Sequence, residues 1–265
     1  MAGHNGSKIN QLLKRWPRGT VAVNSWLEKH GIYRQLIDQY QKTAWLQRIG
    51  TGAFTHLNDK VDWSGGLYTI QNQLKLAIHA GGKTALQMQG YAHFLPMGKG
   101  TTVSLFGDPG TKLPTWFRNH NWEIHIRYKT TNLFTQGLEM GLTKMEIGAY
   151  SIQLSAPERA IMEVLYLVPQ EESYEEARLL MEGLTTLRPR LVLTLLEACR
   201  SIKVKRLFMF LAEACYHPWI SKLNLSKVNF GKGKRVIVQG GRLNPKYEII
   251  VPEDNYGNKD SGETT

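Results

Sequence analysis

Residues 32–55 read IYRQLIDQYQKTAWLQRIGTGAFT, and the parsing of this stretch decides the fold of the first part of the chain. Ile32, Leu36, Ile37, Tyr40 and Ala44 recur at the three- and four-residue spacing that lines one side of an α-helix. The period then stops. Trp45 to Ile49 and Ala53 to Thr55 flank Gly50-Thr51-Gly52, which reads as strand, turn, strand. A helix running directly into a tight hairpin is the second half of a winged helix-turn-helix.

The first half lies just upstream. Ile9, Leu12, Leu13 and Trp16 have helical spacing, and Pro17 with Gly19 stops that helix. Thr20 is placed to cap a second helix carrying Val23, Trp26 and Leu27, which Gly31 closes. In such a module the third helix lies in the major groove, and its outward side chains read base edges. The face opposite the apolar stripe offers Arg34, Gln35, Asp38, Gln41 and Lys42. Arg suits guanine, Gln suits adenine, and Lys42 is better placed for phosphate. Arg48 and Thr51 in the hairpin are candidates for the backbone or minor groove. Thr20 and Asn24 are candidates for a phosphate beside the second helix.

A polar helix face is usually only solvated, and winged helices also dock on proteins, so charge has to arbitrate. The first 60 residues carry nine Lys or Arg against three Asp or Glu, +6 of the chain's +11. Such a segment concentrates polyanions and releases counterions on binding them. Double-stranded DNA is therefore the expected partner. The alternative is a DNA-targeted nuclease or nucleotide-handling enzyme with an active site of no familiar pattern.

Little else points to chemistry. Gly82-Lys83-Thr84 copies the end of a P-loop, but Ala77 stands where its leading glycine belongs. His120 and His125 lack a Cys or carboxylate at ligand spacing, while His93 and His217 each stand alone beside aromatic or proline residues. No metal, no cofactor and no catalytic residue is expected. Two cysteines, Cys199 and Cys215, make no disulfide framework, and no run of about 18 apolar residues exists to span a membrane. With no apolar leader at Met1–Ser7, the expectation is a cytoplasmic protein with no membrane partner.

Downstream, Asn58 to Gly66 (NDKVDWSGG) reads as a connector, followed by helices over 67–80 and 83–90. Strands are expected over Thr101–Phe106, Trp122–Tyr128 and Ile147–Leu154. Ser155, Pro157 and Glu158 have the spacing of a capping box, and four helices follow up to Cys215. The basic turn Gly231-Lys232-Gly233-Lys234-Arg235 precedes two final strands joined through Gly240-Gly241. Lys203, Lys205 and Arg206 form a second basic cluster, and with Lys232, Lys234 and Arg235 they are a candidate anion-binding or effector surface. The expected class is α+β: a winged helix-turn-helix over 1–58, a larger mixed α/β domain over 67–254 with a helical C-terminal half and terminal hairpin, and a disordered tail over 255–265.

Three stretches taken in order resemble the AbiEi antitoxins of type IV toxin–antitoxin (abortive-infection) systems. They are Trp45–Phe54; Gly82–Gly90 ahead of Thr101–Phe106; and Ser155–Ala160 with Val204–Phe208 and Gly231–Arg235. Phe54 stands where the family's wing often ends in Tyr. The resemblance implies a phage-defence antitoxin that binds repeats in its own promoter and represses its operon. It also implies that the C-terminal domain counteracts a nucleotidyltransferase-like toxin, without a stable complex between them.

Overall fold

The helical spacing at the N-terminus is realised, with one substitution of parts. The structure, a computed structural model, describes residues 10–92, 102–135 and 139–253. His93 and the tail lie outside them. Helix α1 occupies residues 10–15, α2 Asn24–Lys29 and α3 Arg34–Lys42. Strands β2 (Leu46–Gly50) and β3 (Ala53–His56) pair antiparallel with Arg48 opposite Phe54, and the turn between them is Thr51-Gly52. Residues expected to open the second helix instead form a short strand β1 (Ala22–Val23), antiparallel to β3. Ala44 is corrected too: it is exposed at φ 57°, beyond the end of α3, so it does not extend the buried stripe.

This winged helix closes over one core of Leu12, Trp16, Ala22, Leu27, Ile32, Ile37, Tyr40, Leu46 and Phe54. Each fully buried Leu or Ile contributes about 1.5–3 kcal/mol relative to exposure. The three helices and the hairpin cannot close without one another, because each supplies part of that core.

The chain forms two compact units. The first comprises Met1–Ala80, Pro96–Thr131 and Leu142–Leu154, so it holds the winged helix and a five-stranded sheet. Strands β4 (Ile78–Ala80), β5 (Thr102–Gly107), β6 (His125–Thr130), β7 (Leu142–Ile147) and β8 (Tyr150–Ser155) lie in the order β6-β5-β4-β8-β7. β4 is antiparallel to β5 and parallel to β8, while β5 and β6 are parallel.

The second half of the supposed connector, residues 63–66, is the start of a helix. α4 runs Trp63–Asn72, with the Asp62 carboxylate accepting from Ser64 N and Gly65 N at its N-cap. Gly65 and Gly66 are buried there because a Cβ on Gly65 would lie 1.9 Å from the Gly19 carbonyl oxygen. On Gly66 it would lie 2.7 Å from the Phe117 and Trp122 rings. From that position Thr69 and Gln73 complete the outer edge of β1. Thr69 Oγ1 accepts from Val21 N and donates to Val21 O, while Gln73 accepts from Val23 N and donates to Val21 O.

Two further expectations give way to backbone geometry. Helix over 67–80 fails because Lys75 takes φ 55°, ending the helix ahead of β4. The alternating strand begins at His125, not Trp122, because Glu123 takes φ 58° and the Trp122 indole is buried, donating to Phe117 O. Between β5 and β6 lies the short helix α6 (Thr115–Asn119). β7 was not foreseen.

The second unit comprises Gly81–Leu95, Asn132–Gly141 and Ser155–Thr265. Helices α5 (Gly82–Met88), α7 (Pro157–Leu167), α8 (Tyr174–Glu182), α9 (Pro189–Ala198) and α10 (Ile202–Ala214) form its body, with α7 central: α5, α8, α9 and α10 all pack on it. The capping box is not made. Ser155 Oγ instead donates to Glu163 Oε2, and Glu158 accepts a bidentate bond from Arg188, leaving Ala156 as an N-cap without a side-chain bond. Cys199 and Cys215 are free, and burial pushes each thiol up to about 11. The terminal hairpin is a three-stranded sheet in the order β10-β11-β9: β9 (Arg235–Val236), β10 (Arg242–Asn244) and β11 (Ile249–Val251), with β9 parallel to β11.

Candidate nucleic-acid interface

Helix α3 has a sharp division of faces. Ile37 and Tyr40 are buried and Leu36 packs partly against the same core. Arg34, Gln35, Asp38 and Lys42 are exposed on the other side, and Gln41 is half-buried at the boundary. The packing of the core therefore orients four of the five candidate side chains on this helix into solvent. None of them forms an ion pair among the described residues, so their charges are free for an external partner.

The wing adds a second contact element. Arg48 and Thr51 are both exposed, and the Arg48 guanidinium is steadied by Nε donating to Gly50 O at 3.1 Å. Asn24 is brought beside the wing turn: its backbone N donates to Gly52 O at 3.0 Å, and its side chain borders Gly52. Of the sequence-predicted residues, Asn24, Thr51 and the α3 group thus fall on one small module. The wing itself is backed within its unit. A Cβ placed on Gly50 would lie 2.8 Å from Trp116 Cβ of α6, so α6 lies directly against β2.

Thr20 is a correction. It is fully buried, and its hydroxyl donates to Pro17 O at 2.6 Å, so it closes the turn after α1 and cannot reach a phosphate. Asn24 rather than Thr20 stands at the exposed start of α2.

The second basic group divides in the same way. Arg206 is 2% exposed and spends all five N–H donors internally. They go to Phe230 O, Gly231 O, Gly233 O, Glu248 O and Glu248 Oε2, at 2.7–3.2 Å. Lys203 donates to Tyr166 O and Val168 O at the end of α7, and Lys205 is buried. Burial lowers the pKa of both lysines. Arg206 and Lys203 spend their donors on backbone carbonyls and Lys205 is enclosed, so this cluster is not an exposed basic surface. Lys232 and Lys234 remain exposed, and Arg235 Nη1 donates to the carbonyls of residues 232, 233 and 234, ordering the loop between them.

The P-loop-like triplet is answered by protein carboxylates. Gly82 N donates to Glu163 Oε2 at 2.9 Å, and Lys83 Nζ reaches Glu176 at 2.8 Å and Glu172 at 3.3 Å. The groups that a phosphate would use are thereby engaged. His217 is a packing residue, its Nε2 2.7 Å from Met181 O and its ring stacked on Trp219. Among the described residues no three His, Cys, Asp or Glu side chains gather to hold a metal, and no helix is long and apolar enough to cross a membrane.

Two exposed aromatics escaped the sequence reading. Tyr33 and Trp45 bracket α3 and are 64% and 47% exposed. Their signal was their position off the Ile32–Leu36–Ile37–Tyr40 stripe, which leaves a large ring with no core to enter.

The fold is similar to the crystal structure of the RV2827C protein from Mycobacterium tuberculosis, with a TM-score of 0.57 at 13% identity, over 93% of this chain and 90% of that one. No curated protein sequence matches the chain. Residues 5–97 match the N-terminal domain of the AbiEi antitoxin transcriptional regulators, and residues 100–252 match the AbiEi antitoxin of type IV toxin–antitoxin systems that these regulators carry. The chain belongs to the AbiEi antitoxin family of transcriptional regulators of type IV toxin–antitoxin systems.

Proposed function

We propose that this antitoxin represses its own operon by laying α3 in the major groove of promoter repeats, with the wing on the adjacent backbone. What carries the reading is the outward face of α3: Arg34, Gln35, Asp38 and Lys42 all stand in solvent, without an ion pair among the described residues. The +6 charge of the first 60 residues supplies the non-specific attraction that precedes base reading. Arg34 and Gln35 read bases; Lys42, Arg48, Thr51 and Asn24 hold phosphates.

The second activity is to counteract a nucleotidyltransferase-like toxin without a stable complex and without catalysis by the antitoxin. Its support is family membership, and the exposed Lys232-Gly233-Lys234 loop ordered by Arg206 and Arg235 is the surface we assign to it.

Co-expression with the neighbouring toxin gene tests both jobs at once, with growth and promoter output scored together. Charge reversal at Arg34 and Lys42 should relieve repression and leave growth protected. Reversal at Lys232 and Lys234 should do the opposite. Protection that survives the loop reversal would remove the loop from the proposal, and repression that survives the α3 reversal would remove α3.

A further inference from the structure

Tyr33 is the N-cap residue of α3, and its ring has no structural use. Its backbone does the capping: the carbonyl accepts from Leu36 N at 2.9 Å and from Ile37 N at 3.0 Å. Its side chain makes no cap bond and is 64% exposed. Among the described residues no ring packs against it and its hydroxyl has no partner. The neighbours on each side fix its place. Ile32 is fully buried, and Arg34 and Gln35 open the exposed face of the helix. An aromatic ring held at this point by a buried anchor sits where a recognition helix enters its groove.

We propose that the Tyr33 ring is a sequence-reading contact, packing on the 5-methyl group of a thymine at the edge of the half-site. The inference rests on the reading of α3 as the groove-binding helix. The thymine methyl is the apolar feature of the major groove, and an apolar side chain is the group that recognises it. A phosphate contact would need only a hydroxyl, which a serine or threonine at the N-cap would provide while also capping the helix. The ring is what such a role leaves unexplained. Tyr33 thus adds an apolar determinant to the polar ones on Arg34 and Gln35, and discriminates thymine from cytosine at one position.

The test uses the full-length chain and a duplex from its own promoter in which thymines are replaced one at a time by deoxyuridine, which removes only the methyl group. Wild type is expected to lose roughly 3- to 10-fold in affinity at one position of each half-site, the worth of burying one methyl group. Tyr33→Ala should show that loss on unmodified DNA and no further loss at the same position. Tyr33→Phe keeps the ring and should keep the sensitivity to deoxyuridine. Equal loss in Tyr33→Phe and Tyr33→Ala would assign the hydroxyl and overturn the proposal. So would a Tyr33→Ala protein that retains the wild-type pattern of sensitivity. Failure of wild type to bind any promoter duplex at low salt would sink the reading of α3 itself, a result distinct from either.

Discussion

Gly50 in the wing and Trp116 in α6 meet backbone to side chain, so closely that an added Cβ would stand 2.8 Å from Trp116 Cβ and 3.2 Å from its Cα. The wing is therefore set by the element that follows β5 as well as by its own hairpin. Gly50→Ala is expected to push β2 off α6. Overpacking of this kind costs about 1–3 kcal/mol. Chemical denaturation should show the lower stability, and DNA affinity should fall with it because the wing turn is displaced. A Gly50→Ala protein of unchanged stability would mean that α6 gives way freely.

Arg34→Ala and Lys42→Ala separate base reading from phosphate holding. The first should cost about 1–3 kcal/mol and relax preference at one base pair. The second should weaken every sequence alike and reduce the salt slope by about 1. Binding isotherms on the operator and on scrambled duplex, taken across a salt series, distinguish the two. Wild-type behaviour in both variants would show that another face binds.

Arg206→Met removes a guanidinium with five acceptors around it. Leaving four carbonyls and the Glu248 carboxylate without this donor should destabilise the second unit by roughly 2–5 kcal/mol, at about 1–3 kcal/mol for each acceptor left buried and unpaired. Arg206→Lys should rescue little of it, since an ammonium cannot reproduce the planar fork. Lys232→Ala, on an exposed side chain, should stay within about 0.5 kcal/mol of wild type. Urea melts of the full chain provide the comparison.

Acid should loosen the winged helix through His56. The ring is 3% exposed, neither nitrogen has a hydrogen-bond partner among the described residues, and the Trp16 ring stands edge-on to it at 4.1 Å. Burial lowers its pKa from 6.5, and the positive charge of Arg18 lowers it further, against a partial upward pull from Asp59. The folded protein thus holds the neutral form while the unfolded chain binds a proton near 6.5. The stabilisation is complete above that value and is lost as pH falls through it, at no more than about 1.4 kcal/mol per pH unit. His56→Gln should flatten the stability profile just below pH 6.5. An unchanged profile in that variant would place the titration elsewhere.

The first sixty residues were readable because helical and hairpin periods have a simple physical cause: one face enters a core and the other does not. Thr20 broke the pattern because a hydroxyl that satisfies the carbonyl of Pro17 has the same sequence signature as a helix cap. Trp63-Ser64-Gly65-Gly66 looked like a hinge for a related reason. Glycine permits bending, but here it permits contact, with backbone and rings closer than any side chain would allow. Lys203, Lys205 and Arg206 looked like a basic surface because charge on a helix normally faces water. Arg206 and Lys203 turn instead to carbonyls more than twenty residues away along the chain, such as Phe230 and Tyr166, which no local spacing reveals. The α3 face was legible. The exposure of the Tyr33 ring was implied by its place off the apolar stripe, but helical spacing does not say what an outward ring is for.

Thr69 and Gln73 stand in for a strand that β1 does not have, and this has an evolutionary reach. Recombination between related genes with a crossover near codon 60 would hand β1 to a foreign helix, and the hybrid would inherit an unpaired edge unless the donor supplied the same hydroxyl and amide one turn apart. If α3 reads DNA as proposed, the winged helix and the first sheet would then be inherited as a single piece, with new preferences arising by point substitution on α3 rather than by exchange of the winged helix.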